Sequence, residues 1–339
     1  MSFRDICGQE RQVAFLRSAM KKGRLAHAYL FYGTKGLGKQ TAAEIFAKAL
    51  NCTGADFDAC DGCSSCLKID HGNHSDIIML KPEGQFIRIH EIREIQEQMR
   101  FKPFEGGKRV FIVEDAEKMN IPAANALLKT LEEPSPANIL ILLSSRPHQL
   151  PMTILSRCQK LRFNPLSRKE IAGYLAAKMN LDEATAKLLA TTAGGSIGKA
   201  LEMYEESYLS TRDDILKRVV QFYGEDPLNL LWVVDALGKD RDDILQRLDI
   251  LKTWHRDVLI YRETGDAERL FHSDQLETVK FWSRSLSVSE ILDNISVIGR
   301  ASNAIDRNAN KQLTLETLLF KLTRPHGSVD ESGAAFNGS

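Results

Sequence analysis

The sequence predicts an α/β phosphate-loop domain: a mostly parallel sheet with helices on both faces, carrying a four-cysteine metal module. A small helical domain and an all-α C-terminal domain are expected to follow. Three observations lead there. Short apolar runs alternate with helix-patterned segments from residue 27 to 163, as strands joined by helical crossovers do. A glycine-rich loop, Gly33-Thr34-Lys35-Gly36-Leu37-Gly38-Lys39-Gln40, lies between a strand-like run and a helix, where a phosphate cradle has to sit. After Asn164-Pro165 the strand runs stop and only helical periodicity continues.

In order, residues 2–26 read as a helical lead-in with Val13, Phe15, Leu16 and Ala19 on its apolar face. A strand spans 27–32, and the helix after the loop spans 41–50, with Glu44 and Lys48 at i,i+4 as a solvated pair. A second strand covers 76–80, Pro82-Glu83-Gly84 is a turn, and 90–100 is a helix with Ile92, Ile95 and Met99 on one face. Gly106-Gly107 breaks the chain before the strand 109–113. Asn120 caps the next helix, which has Pro122 early, Ala126, Leu127, Leu128 and Leu131 inside it, and Pro134 as its stop. A buried strand at 138–143 ends in Ser144-Ser145. In a parallel sheet a ligand belongs at the carboxyl ends of the strands, where the loop, Glu114-Asp115 and Ser144-Ser145 all fall. Beyond Pro165, Ser167 and Glu170 form a capping box, a second helix spans 181–193 before Gly194-Gly195, and Ser196 starts a third. Residues from about 207 to 325 are helical, with runs at 228–237, 244–259 and 313–322. Residues 326–339, rich in Gly, Ser and Ala, are expected to be a disordered tail. The expected domains are 1–165, 166–206 and 207–325.

The 339 residues are 43% hydrophobic and 27% charged, enough for two or three cores. The 45 basic and 45 acidic residues cancel. A protein that binds nucleic acid alone is usually more basic, so any contact with DNA is expected to come through a larger assembly. No apolar run reaches the roughly 18 residues of a membrane span, and no signal-peptide segment opens the chain. No membrane association and a cytoplasmic location are expected. Six cysteines, four of them clustered, suit a reducing compartment and a metal site better than a disulfide framework.

The chemistry concentrates at four places. In G-x-x-x-x-G-K-[ST] loops, glycines let backbone amides turn around a phosphate, lysine reaches the outer phosphates, and the hydroxyl ligates Mg²⁺. Gly33, Gly38 and Lys39 stand correctly, but Gln40 occupies the hydroxyl position. A neutral amide is a poor ligand for a hard cation, and Thr41 points about 100° further around the helix. Residues 33–41 are thus candidate binding residues for ATP or ADP, with Mg²⁺ held weakly or not at all; a glycine-rich turn without a ligand is the alternative. Cys52, Cys60, Cys63 and Cys66, spaced C-x7-C-x2-C-x2-C, can close around one tetrahedral ion, and four thiolates at about 2.3 Å suit Zn²⁺ in a structural role. An iron–sulfur cluster or unligated thiols are the rivals; His71 and His74 read as surface residues. Glu114-Asp115, at the end of an apolar strand, resembles an acid pair that holds Mg²⁺ and polarises water, in reversed order; a strand end that simply turns polar is the alternative. Arg157, in Ser156-Arg157-Cys158, reads by itself as an ordinary surface arginine.

Several motifs occur together and in order: Gly8-Gln9, the loop 33–40, the cysteine module after its helix, Asn125-Ala126-Leu127-Leu128-Lys129-Thr130-Leu131-Glu132-Glu133-Pro134, and Ile154-Leu155-Ser156-Arg157-Cys158. The chain thereby resembles the AAA+ subunits of the bacterial replication clamp loader, part of the DNA polymerase III holoenzyme. The resemblance covers 3 to about 205 closely and 207–325 more loosely, where Asn308, Asn310, Leu315 and Glu316 resemble a C-terminal segment of these subunits. It implies an AAA+ domain over 1–165, a lid over 166–206 and a collar over 207–325. It also implies a five-subunit arc that opens the sliding clamp and closes it on primed DNA. The implied partners are gamma/tau and delta subunits, the clamp, and primer–template DNA through the assembly; polymerase chemistry would lie in another subunit. Within the family, Gln40, the swapped acids, Gly198 where motor subunits carry a phosphate-contacting arginine, and an end soon after the third domain point to a non-motor subunit. Arg157 would then be an arginine finger reaching a neighbour's ATP site, while Lys39 leaves nucleotide binding open without brisk turnover. The competing reading is an active gamma/tau-type ATPase. A DNA-processing enzyme on a borrowed fold is a third, which no further acid cluster or His-metal set supports.

Overall fold

The computed structural model describes residues 1–82, 84–205, 208–222, 234, 237–238, 240–322, 328–329 and 335–336. It forms two compact units, Met1–Leu181 with Ala193–Ala200, and Asp182–Thr192 with Leu201–Ser339.

The first unit is built on a five-stranded sheet of β1 (Ala28–Tyr32), β2 (Ile77–Leu80), β3 (Arg109–Val113), β4 (Asn138–Ser144) and β5 (Gln159–Arg162), in the order β2-β3-β4-β1-β5. Every pairing is parallel. The register sets Tyr32 beside Ser144 and Val113 beside Leu142, so the strands deliver their following loops to one edge. Strands buried on both faces read as continuous apolar runs; β3 and β4 are buried throughout. Successive side chains alternate faces. Ala28 and Leu30 enter a core with Ile92, Ile95, Leu127, Leu131 and Ile154, while Tyr29 meets Phe46 edge-on at 5.3 Å on the opposite face. β5, mostly exposed and charged, is the kind of edge that resists pairing with another chain.

The helices of this unit are α1 (Glu10–Lys21), α2 (Lys39–Asn51), α3 (Ser64–Asp70), α4 (Ile89–Gln98), α5 (Ile121–Glu132), α6 (Met152–Leu155) and α7 (Arg168–Met179). Local chemistry sets their ends. The Asn120 Oδ1 accepts the Ala123 amide at 2.9 Å, and Ser167 and Glu170 cap each other reciprocally, each arrangement contributing about 1 kcal/mol. The lead-in is shorter than 2–26. A 3₁₀ turn at Phe3–Asp5 precedes α1, and between them Gly8 takes a φ of +66° that ends any continuous helix.

The second unit holds α8 (Glu183–Thr192), α10 (Tyr208–Phe222), α11 (Arg241–Thr264), α12 (Leu276–Ser285), α13 (Val288–Asp306) and α14 (Lys311–Lys321); α9 (Ile197–Glu205) begins in the first unit and ends in the second. Its core centres on Trp254, which meets Trp282 edge-on at 6.0 Å. Most of the run at 228–237, and the turn residue Glu83, lie outside the described residues. So does the tail at 326–339, apart from Ser328–Val329 and Ala335–Phe336, which pair antiparallel. Among the described residues no helix is long and apolar enough to cross a membrane.

Candidate phosphate-loop site and cysteine centre

β1 runs into the loop at Gly33, whose amide donates to Ser144 O at 3.2 Å. A Cβ there would lie 2.4 Å from the Phe163 carbonyl oxygen, so only glycine fits. Lys39 is buried, and its Nζ donates to the carbonyls of Gly33 and Thr34 at 2.7 Å each. Burial lowers its pKa, against the opposing charges of Glu117 first and Asp115 second. Among the described residues, none of the amides of 34–38 donates a hydrogen bond. Unpaired amides at the start of a helix, around a buried lysine, are groups that can take an anion. Gln40 does not face them: its Nε2 donates to Glu44 Oε1 at 2.9 Å, one turn along α2. Thr41 lies half-buried one position further on.

The two acids named from the sequence sit differently. Glu114 lies 3.3 Å from Lys81. Asp115, at a φ of +45°, is half-exposed and pairs with Lys118 at 2.9 Å. The left-handed turn at Asp115 swings the chain back, and Glu117 becomes the acid that bears most on Lys39. Glu117 is missing from the sequence reading. Its side chain is 2% exposed. Its Oε1 accepts both the amide and the hydroxyl of Ser145, while Oε2 has no hydrogen-bond partner among the described residues. Burial pushes this carboxyl up, but the hydroxyls of Ser145 and Ser144 outweigh it and hold it below the usual range. The signal was there in E-D-x-E opposite Ser144-Ser145, but only the turn pairs them.

Arg157 follows α6. Its Nη2 donates to Glu132 Oε1 at 2.8 Å and its Nη1 to Thr153 O at 3.0 Å, and the side chain stays 36% exposed. The next residue, Cys158, is buried, and burial pushes its thiol up to about 11.

The cysteine module leaves the C-terminus of α2. The Sγ atoms of Cys52, Cys60, Cys63 and Cys66 all lie within 4.8 Å of one another, with Cys52 and Cys63 at 4.0 Å. A tetrahedral ion with sulfur ligands at about 2.3 Å needs edges of about 3.8 Å, so number, spacing and donor type fit a metal ion. The amides of Cys60, Cys63 and Cys66 donate to the sulfurs of Cys52, Cys60 and Cys63 at 3.3–3.5 Å. Against the upward pull of burial, bonds from Cys66 and Thr53 hold the Cys63 thiol down at about 5; burial and the neighbouring Cys63 push Cys66 up to about 12. Four adjacent thiolates need a cation to coexist.

Two sequence expectations fail here. Lys48 is not in a solvated pair with Glu44; it is 1% exposed. Its Nζ donates to Asp61, to both oxygens of Asp70 at 2.8 Å, and to Met1 O, tying α2 to the module. His74 is buried too, with Nε2 3.0 Å from Ser65 Oγ and Nδ1 accepting the Asp76 amide. These partners are 9 to 22 residues away in sequence for all but the Asp76 amide and Met1, beyond any helical periodicity.

Comparison with known proteins adds the context. The profile of a family described as DNA polymerase III, delta subunit, matches residues 8–167, and that of its C-terminal part matches 206–324. The chain is 30% identical over 318 residues to DNA polymerase III subunit delta′ of Bacillus subtilis, covering 93% of this chain and 96% of that protein. It is 29% identical to DNA polymerase III subunit tau of the same organism, covering 94% of this chain and 61% of that one. With subunit tau/gamma of Haemophilus influenzae the identity is 34%, covering 93% and 49%. The chain therefore spans only part of the two tau relatives.

Proposed function

The chain belongs to the delta′-like clamp-loader subunits of DNA polymerase III, and from that premise we propose that it is a stator within the loader. Its own phosphate loop would be slow or idle, and its Arg157 would complete the ATP site of a neighbouring gamma/tau subunit. One observation carries this reading. At the position where a hydroxyl would hold Mg²⁺ stands Gln40, whose amide nitrogen is turned to Glu44 along α2 and to Met79, and a neutral amide is a poor ligand for a hard cation.

The surroundings of Arg157 support the second half. Its anchor on Glu132 is an ion pair with both partners exposed, of a kind contributing about 0–1 kcal/mol, so transfer to a phosphate costs little. A planar guanidinium that offsets charge on a transferring phosphoryl group contributes about 10³ or more in rate. The cysteine centre would hold Zn²⁺ as a structural ion: a closed four-sulfur shell leaves no position for water. The proposed partners are gamma/tau and delta subunits, with the sliding clamp and primer–template DNA reached through the assembly.

A second reading, a gamma/tau-type ATPase, draws on the paired Lys39 of the loop and on Glu117, the acid whose charge bears most on it. One experiment separates the two. ATP turnover is measured for the isolated chain and for reconstituted loader carrying either wild-type or Arg157→Ala subunit. The stator reading expects negligible turnover alone and a loss of about 10³ at the adjoining site, seen as a drop in total loader ATPase. An unchanged loader rate removes the finger; brisk Mg²⁺-dependent turnover by the isolated chain moves the assignment to the motor reading.

A further inference from the structure

Gly198 was noted above for the arginine it lacks. Its surroundings give it a different role. The Gly198 amide donates to Gly36 O at 2.8 Å, and the Ser196 hydroxyl donates to Lys35 O at 3.0 Å while accepting the Lys199 amide at 3.1 Å. The approach is closer than side chains permit. A Cβ on Gly198 would lie 2.7 Å from Gly36 Cα, and a Cβ on Gly36 would lie 2.2 Å from Ser196 Oγ. The start of α9 is itself anchored: Leu166 N donates to Gly195 O at 2.9 Å, and Phe163 N to Tyr32 O at 2.8 Å. These bonds close a circuit from the end of β1, through the chain leaving β5, to α9, and back onto the crown of the loop.

The circuit sorts the loop's polar groups. The carbonyls of Gly33 and Thr34 take Lys39, and those of Lys35 and Gly36 take Ser196 and Gly198. Four consecutive carbonyls are thereby paired, while the amides of 34–38 have no donor bond among the described residues. A peptide plane whose carbonyl is held on one side presents its neighbouring amide to the other.

We propose that Ser196 and Gly198 are positioning residues that hold residues 34–38 as a preformed polyphosphate cradle, which takes the phosphates of a nucleotide without a metal ion. This rests on reading residues 33–41 as a phosphate loop. Gly198 is bare because any side chain would lift α9 off Gly36, so an arginine at 198 is incompatible with this arrangement.

The test is equilibrium binding of a fluorescent ATP analogue to the full chain without Mg²⁺, with displacement by pyrophosphate and by adenosine, and thermal melting as a check of folding. Ser196→Ala loses the bond to Lys35 O together with the one accepted from the Lys199 amide and is expected to weaken binding about 3- to 10-fold. Gly198→Ala forces backbone apart and is expected to weaken it about ten-fold or more. Ser196→Thr, which keeps the hydroxyl, is expected to bind within about two-fold of wild type. Pyrophosphate displacement should fall in parallel and adenosine displacement should not, a split that a general loss of stability does not produce. Folded Ser196→Ala and Gly198→Ala chains with unchanged or tighter binding overturn the proposal while leaving the loop reading intact. A wild-type chain that binds neither the analogue nor pyrophosphate overturns both.

Discussion

Replacing Lys48 with methionine tests the link between the loop helix and the cysteine module. Its ammonium is buried against Asp61 and Asp70, whose side chains are 38% and 41% exposed. Charge-assisted hydrogen bonds contribute about 1.5–3 kcal/mol when sheltered, and exposed pairs about 0–1. Two half-sheltered carboxylates give about 2–3 kcal/mol together. Methionine is of similar length and shape, so little cavity is added, and because the partner carboxylates open to solvent, loss of the charge relieves desolvation by only about 1 kcal/mol. The net expectation is a destabilisation of about 1–2 kcal/mol, or roughly 2–8 °C in melting temperature for a unit of this size. The pH dependence has a definite sign. The partners of Lys48 raise its pKa above the ordinary 10.5, so its contribution is in place throughout acid and neutral pH. Lys48 holds Asp61 below its ordinary 3.8, so that contribution is present above this value and is lost as pH falls through the lowered one. Urea melts of wild type and Lys48→Met should therefore differ by a constant amount from about pH 5 to 9, and the difference should shrink as pH falls below about 4. No difference at pH 7, or an undiminished one at pH 3, refutes the argument.

Metal analysis is expected to find about one zinc per chain, released by a chelator with loss of order in the module; iron, or no metal, removes the zinc assignment. In the second unit, Asp257 Oδ2 accepts the Phe271 and His272 amides at 2.7 Å and lies 2.9 Å from His272 Nδ1, with Asp257 and His272 fully buried. Asp257→Asn replaces a charged acceptor by a neutral one and turns one amide hydrogen toward existing donors. It should destabilise by about 3 kcal/mol, measured as a shifted urea midpoint; a change below about 0.5 kcal/mol would mean that the cluster is not load-sharing.

Much of the first unit can be read from local pattern. β3 starts and ends where the apolar run does, and β4 extends it by one residue, because strands covered on both faces leave no polar position to blur the signal. The caps at Asn120 and Ser167 follow from side chains that satisfy amides three residues away. Lys48 was misread for the complementary reason. An i,i+4 acid is visible along a helix, whereas Asp61 and Asp70 reach it only after the module folds back. Glu117 escaped notice because the acids were read as a consecutive pair, and one left-handed residue, Asp115, re-aims the third.

The sequence alone determined four of the five strands and the longer helices between them, the phosphate loop with its missing hydroxyl, and the four-sulfur donor set. These depend on residue types at short, set spacings. Tertiary structure alone decided which acid faces Lys39, what neutralises Lys48, and why residue 198 is glycine. Each of those depends on groups far apart in the chain, brought within hydrogen-bonding distance by the register of a parallel sheet, and no spacing along the chain encodes that register.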